Sequence, residues 1–76
     1  GAPSRYREIE VLIPDEPRAL GRLFSEIGEA GINIEDLVLE HSAGAQAGVA
    51  RVMIDPAVAD RAVADLQQRG WRLITH

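Results

Sequence analysis

Two stretches of this chain are punctuated in the same way, and that punctuation leaves few folds open. An apolar run ends at Ile13-Pro14-Asp15-Glu16-Pro17, and an amphipathic stretch follows as far as Gly31. A later run ends at Ile54-Asp55-Pro56, and a second amphipathic stretch follows as far as Gly70. Proline in the first turn of a helix costs nothing, because the first N–H groups have no partner inside the helix. Glycine just past the last turn accepts the left-handed backbone that commonly closes a helix. Each stretch therefore reads as a helix with both ends marked, set between extended runs.

The extended runs carry the alternation of strands. In 6–13, Ile9, Val11 and Ile13 share one face, and Glu8 and Glu10 the other; Leu12 interrupts the polar face beside the turn. Asp15 or Glu16 is placed to cap the first helix, with Pro17 in its first turn. Leu20, Leu23, Phe24, Ile27 and Ala30 recur at helical spacing as its inner stripe, with Arg22 and Glu26 an i,i+4 pair outside. Residues 32–41 form a second strand whose parity changes between Ile32/Ile34 and Leu37/Leu39, which predicts a bulge near Glu35-Asp36. A small-residue loop over 42–48 leads to a third strand over 48–54, so strands two and three form an antiparallel hairpin. Asp55 caps the second helix, with Val58 or Ala59, Ala62, Val63 and Leu66 inside, and Arg61–Asp65 and Asp65–Arg69 as outer pairs. Residues 71–75 make a short last strand.

The order is βαββαβ. Each helix has one apolar stripe to bury, so both cover one face of a four-stranded antiparallel sheet. Right-handed crossovers that leave a strand space between parallel strands give an α+β, ferredoxin-like sandwich. The uncovered face is polar apart from Leu12, Val49 and Met53, which are ordinary exposed side chains or an association patch. Trp71 reads as a lid on the helix–sheet edge.

Length and composition narrow the function. At 76 residues the chain is a single domain, 6–76, behind a leader or linker over 1–5. A chain this short buries only about 60% of its unfolded surface, and without cysteine it has no disulfide or thiolate–metal staple. Association with a second copy or a longer polypeptide is the remaining source of burial. All eight basic residues are arginines, scattered against 12 acids, so there is no nucleic-acid footprint. No apolar run is long enough to span a membrane, and no signal peptide precedes the first strand. These features point to a cytoplasmic module.

The fold hosts many activities, and the residues remove several. Strand three, Gly48-Val49-Ala50-Arg51-Val52-Met53-Ile54, lacks the stacking aromatics of an RNA-recognition motif. Two histidines without neighbours at ligand spacing make no metal site. His41 and Ser42 are adjacent on a strand and point to opposite faces, so they form no nucleophile–base pair; no catalytic residue and no cofactor is assigned. An acylphosphatase-like enzyme using Arg18 and Asn33 is the weakest rival, since the first loop lacks phosphate-cradling glycines.

Asp15-Glu16-Pro17-Arg18-Ala19-Leu20 and Gly31-Ile32-Asn33-Ile34 resemble the paired motifs of ACT domains, Asp/Asn-x-Pro-Gly-x-Leu and Gly-x-Asn-Ile. The likeness runs from about Tyr6 to Thr75. Gly28-Glu29-Ala30-Gly31-Ile32-Asn33-Ile34-Glu35-Asp36, Leu39-Glu40-His41-Ser42 and Arg69-Gly70-Trp71-Arg72 make it resemble most the regulatory ACT domain at the C-terminus of bacterial prephenate dehydrogenases. The resemblance implies a homodimer, side by side through edge strands, with an amino-acid effector at the interface. Asp15, Glu16, Arg18, Ala19 and Leu20 of one copy would face Asn33 and Ile34 of the other. It implies an aromatic effector, tyrosine above others, and allosteric control of an attached NAD(P)-dependent prephenate dehydrogenase of tyrosine biosynthesis, with no catalysis in the domain itself. Elementary chemistry agrees: N–H groups at a helix start favour an α-carboxylate, and Asp15 or the Asn33 carbonyl accepts from an α-ammonium.

Arg18 departs from the pattern, standing where the family has Gly. Glycine suits a backbone that a ligand approaches closely. The arginine side chain fills the ligand space, swings into solvent, or pairs with a carboxylate ligand. If it fills the space, the chain is a dimerisation module whose ligand site is lost. Asp15 serves equally well as a plain helix cap, Asn33 as a turn residue satisfying backbone, and Glu40-His41-Ser42 as a solvated strand end.

Overall fold

The computed structural model describes residues 6–41 and 47–74. β1 (Arg7–Pro14), α1 (Ala19–Glu29), β2 (Ile34–His41), β3 (Ala47–Ile54), α2 (Pro56–Gln68) and β4 (Arg72–Ile74) follow in that order. The strands make one sheet in the order β2-β3-β1-β4, with each adjacent pair antiparallel. β1 and β2 are thus parallel across β3, and β3 and β4 parallel across β1, the split βαβ arrangement expected from the sequence. The expected loop over 42–48 is cut short by β3, which begins at Ala47; residues 42–46, the expected leader over 1–5, Thr75 and the side chains of His41 and Ser42 lie outside what is described.

The core follows from strand parity. Ile9 and Val11 of β1 and Ala50, Val52 and Ile54 of β3 are buried on one face, packed with Leu23 and Ile27 of α1 and Ala59, Ala62 and Leu66 of α2. Every buried strand residue has the same phase, so both helices lie on that side. The register shift in β2 falls between Ile34 and Asp36, where the parity change predicted it. After it, Leu37 faces the core and Val38 joins Arg51 on the open face. Pairing of Glu10 with Ile74 adds a second apolar residue there. The open face is therefore less polar than its three expected exceptions implied.

The inner stripe of α1 is rotated from the one expected. Ala19, Leu23 and Ile27 are buried, whereas Phe24 is 39% exposed. A helix on a flat sheet buries only the middle of its apolar sector, and Phe24 lies on the flank. The stripe of α2 is as expected, and Asp55 accepts a hydrogen bond from the Ala57 N–H at 2.9 Å with Pro56 in the first turn. Asp65 pairs with Arg69 and not with Arg61. Arg69 also reaches Glu29 at 3.1 Å and so ties the two helix ends together. The Asp65 bond first, then the Glu29 bond, raise the Arg69 pKa, against a lowering by desolvation; the guanidinium stays charged.

Both helices close in the same way. Ile32 N–H donates to Ile27 O and Gly31 N–H to Gly28 O; Trp71 N–H donates to Leu66 O and Gly70 N–H to Gln67 O. Gly31 (φ 74°) and Gly70 (φ 96°) hold the left-handed positions that this double bond requires.

Candidate functional site

The head of α1 is not built as the sequence suggested. Pro17 precedes the helix, and neither Asp15 nor Glu16 caps it. The cap position belongs to Arg18, with φ 70° and ψ 2° and no side-chain hydrogen bond to the helix. Ala19 N–H donates to Glu16 O at 3.3 Å, closing a turn over Glu16-Pro17-Arg18-Ala19. Proline in second place and positive φ in third are the marks of a type II turn. That geometry asks for glycine whether or not a ligand is near, because a Cβ crowds the carbonyl in the left-handed region. Arg18 is the one non-glycine residue with positive φ among the described residues. The departure at this position is thus first a matter of backbone strain.

The Arg18 side chain is exposed and makes no hydrogen bond or ion pair within the described residues. Asp15 is likewise exposed and unpaired there, and Glu16 lies 3.9 Å from Arg22. Ala19 is buried in the core and Leu20 half-buried. Arg22 N–H donates to Arg18 O at 2.8 Å as the first helical bond. The N–H groups of Leu20 and Gly21 find no partner among the described residues, and stand open at the helix start.

Asn33 is exposed and precedes β2. Its Nδ2 donates to Glu35 Oε1 at 3.4 Å, a side-chain contact rather than the backbone role considered for it. Ile34 is half-buried against the core. Glu40 is not merely solvated, since it pairs with Arg51 at 3.3 Å.

The two halves of the site do not meet within one chain. Pro14 pairs with Ala47 at one end of β3, and Ile34 pairs with Ile54 at the other. β3 has eight residues, so the ends are roughly 24 Å apart at about 3.4 Å per residue. Asp15 and Arg18 sit at one end of the sheet, Asn33 at the opposite end. Arg18 and Asn33 therefore cannot share a phosphate, which removes the acylphosphatase-like enzyme for a single chain. Among the described residues no three His, Cys, Asp or Glu side chains gather as metal ligands.

β2 is an edge strand, and its flank is apolar. Val38 and Leu39 are 42% and 43% exposed. Leu39 shares a small apolar pocket with Ile13 and Leu20, and Phe24 lies one helical turn beyond Leu20 on the same side. Helical periodicity places Phe24 and Leu20 inside, whereas Phe24 is exposed and Leu20 only half-buried.

A sequence model of the ACT domain matches residues 7–70. With the fold, this shows that the chain belongs to the ACT domain family. ACT domains are regulatory, non-catalytic domains that bind amino acids and commonly dimerise. A search of curated proteins finds no match. No helix among the described residues is long and apolar enough to cross a membrane.

Proposed function

We propose that this domain binds an amino-acid effector between two copies paired through β2. The observation that carries the reading is the separation of Asp15 from Asn33. A two-fold axis normal to the sheet pairs β2 with β2 antiparallel and brings Asn33 of a second copy to the Asp15 end. The open N–H groups of Leu20 and Gly21 then meet an α-carboxylate, and Asp15 with the Asn33 carbonyl meets the α-ammonium. Arg18 and Ile34 frame the pocket, while the Glu16 side chain turns to Arg22 and that of Ala19 lies in the core. The apolar flank of Leu20, Phe24 and Leu39 supplies what the partner covers.

The effector in this reading is an aromatic amino acid, tyrosine foremost. The controlled activity is that of a covalently attached prephenate dehydrogenase of tyrosine biosynthesis in the cytoplasm. Support for these finer statements is the series of short motifs around Gly31, Glu40 and Trp71. Binding regulates such an enzyme only through a difference in affinity between its states.

Mixing tests the site. Asp15→Ala and Asn33→Ala each abolish calorimetric heat with tyrosine or phenylalanine at millimolar concentration. In the mixed dimer one of the two sites has both residues intact, and half the dimers of an equimolar mixture are mixed, so heat returns at about a quarter of the wild-type stoichiometry. Failure of the mixture to bind refutes the two-chain site. The second reading, a dimerisation module with a lost site, is favoured by the guanidinium of Arg18 at the pocket, which has no ion pair among the described residues. It predicts no heat in wild type and heat in Arg18→Gly.

A further inference from the structure

A cleft of about 450 Å3 lies on the other flank of β1, between that strand, the start of α1 and β4. The sheet order puts it away from β2, so a dimer through β2 leaves it open. Its volume is that of a small-molecule site, and Leu12, Pro14 and Trp71 give it apolar walls. We propose that this cleft binds a small organic carboxylate with a planar apolar body, held by the guanidinium groups of Arg22 and Arg72.

Arg22 is fixed in place without its donors being used. Its guanidinium carbon stands 4.7 Å from the centre of the Trp71 ring. Glu16 and Glu26 lie 3.9 and 3.7 Å away, near enough to hold the cation but beyond good hydrogen-bond distance. Trp71 is itself anchored, 6% exposed, with its indole N–H donating to Glu26 at 2.9 Å. Arg72, opposite Leu12 in the register, has no ion-pair partner among the described residues. Glu16 is the one acidic group in the lining and is matched by Arg22, so Arg72 leaves the cleft net positive in a chain of charge −4. Two guanidinium forks with open donors suit a carboxylate, which they can engage in a bidentate manner. The apolar walls demand that the anion bring a hydrophobic body.

Trp71, the single tryptophan, reports occupancy by its fluorescence. Titration with phenylacetate gives a saturable change, and acetate and inorganic phosphate bind more weakly because they lack the body. Arg72→Gln weakens phenylacetate binding about ten-fold, the loss expected of one charge-assisted hydrogen bond. That substitution removes no hydrogen bond or ion pair among the described residues, so circular dichroism stays unchanged; Arg22→Gln, which also takes the cation off the Trp71 face, is the second arm and weakens binding likewise. A response that does not saturate, binding unaltered by Arg72→Gln, or phosphate binding as tightly as phenylacetate overturns the proposal. Tyrosine carries an α-ammonium that the two guanidinium groups repel, so its heat belongs to the β2 edge and survives Arg72→Gln, and the two sites fail separately.

Discussion

Replacing Arg18 by glycine isolates the backbone term at the head of α1. The native residue holds φ 70°, a conformation that costs an L-residue with a Cβ about 1–2 kcal/mol. The exposed side chain has no hydrogen bond or ion pair among the described residues to lose. Glycine brings its own penalty of roughly 0.5–1 kcal/mol through the freer unfolded chain. The difference leaves Arg18→Gly more stable by about 0.5–1 kcal/mol, or a rise in Tm of about 2–8 °C for a domain of this size. Arg18→Ala keeps the strained Cβ and stays within about 0.5 kcal/mol of wild type. Thermal melts followed by circular dichroism measure all three chains, at matched protein concentration because any self-association would add to apparent stability. A stabilisation by alanine equal to that by glycine refutes the argument, since it would place the effect in the side chain. So does a loss of stability with glycine.

Two further substitutions probe other features. Phe24→Glu puts a charge on the apolar flank of β2; sedimentation equilibrium should show dimer giving way to monomer, with the folded signal of the monomer retained. Gly31→Ala meets no atom within 4 Å, so its cost is conformational alone, about 1 kcal/mol in urea melts.

The sequence carried the fold because each element repeated its period several times. Ile9, Val11 and Ile13 fix a face, and so do Ala59, Ala62 and Leu66. The parity change in β2 even located its bulge. Single-residue geometry was less readable. Pro17 suits the second position of type I and type II turns alike, and nothing about an arginine announces positive φ; hence the misplaced cap at Asp15 or Glu16. Phe24 and Leu20 fit the helical stripe by spacing, but spacing does not say how wide a sector the sheet covers. The candidate site residues stand out in the sequence as two motifs. Their placement at opposite ends of the sheet needed the register of β3, to which both neighbouring strands pair.

That opposite placement has a consequence for how such a sensor behaves on dilution. If each pocket takes half its walls from another copy, ligand occupancy and self-association are one linked equilibrium. The effector strengthens pairing by the same factor by which pairing strengthens effector binding. Apparent affinity then falls as the domain is diluted below its own dimer dissociation constant, with no residue changed. Local concentration becomes a second input, and tethering two copies by fusion to an enzyme that is already oligomeric would set the threshold of response.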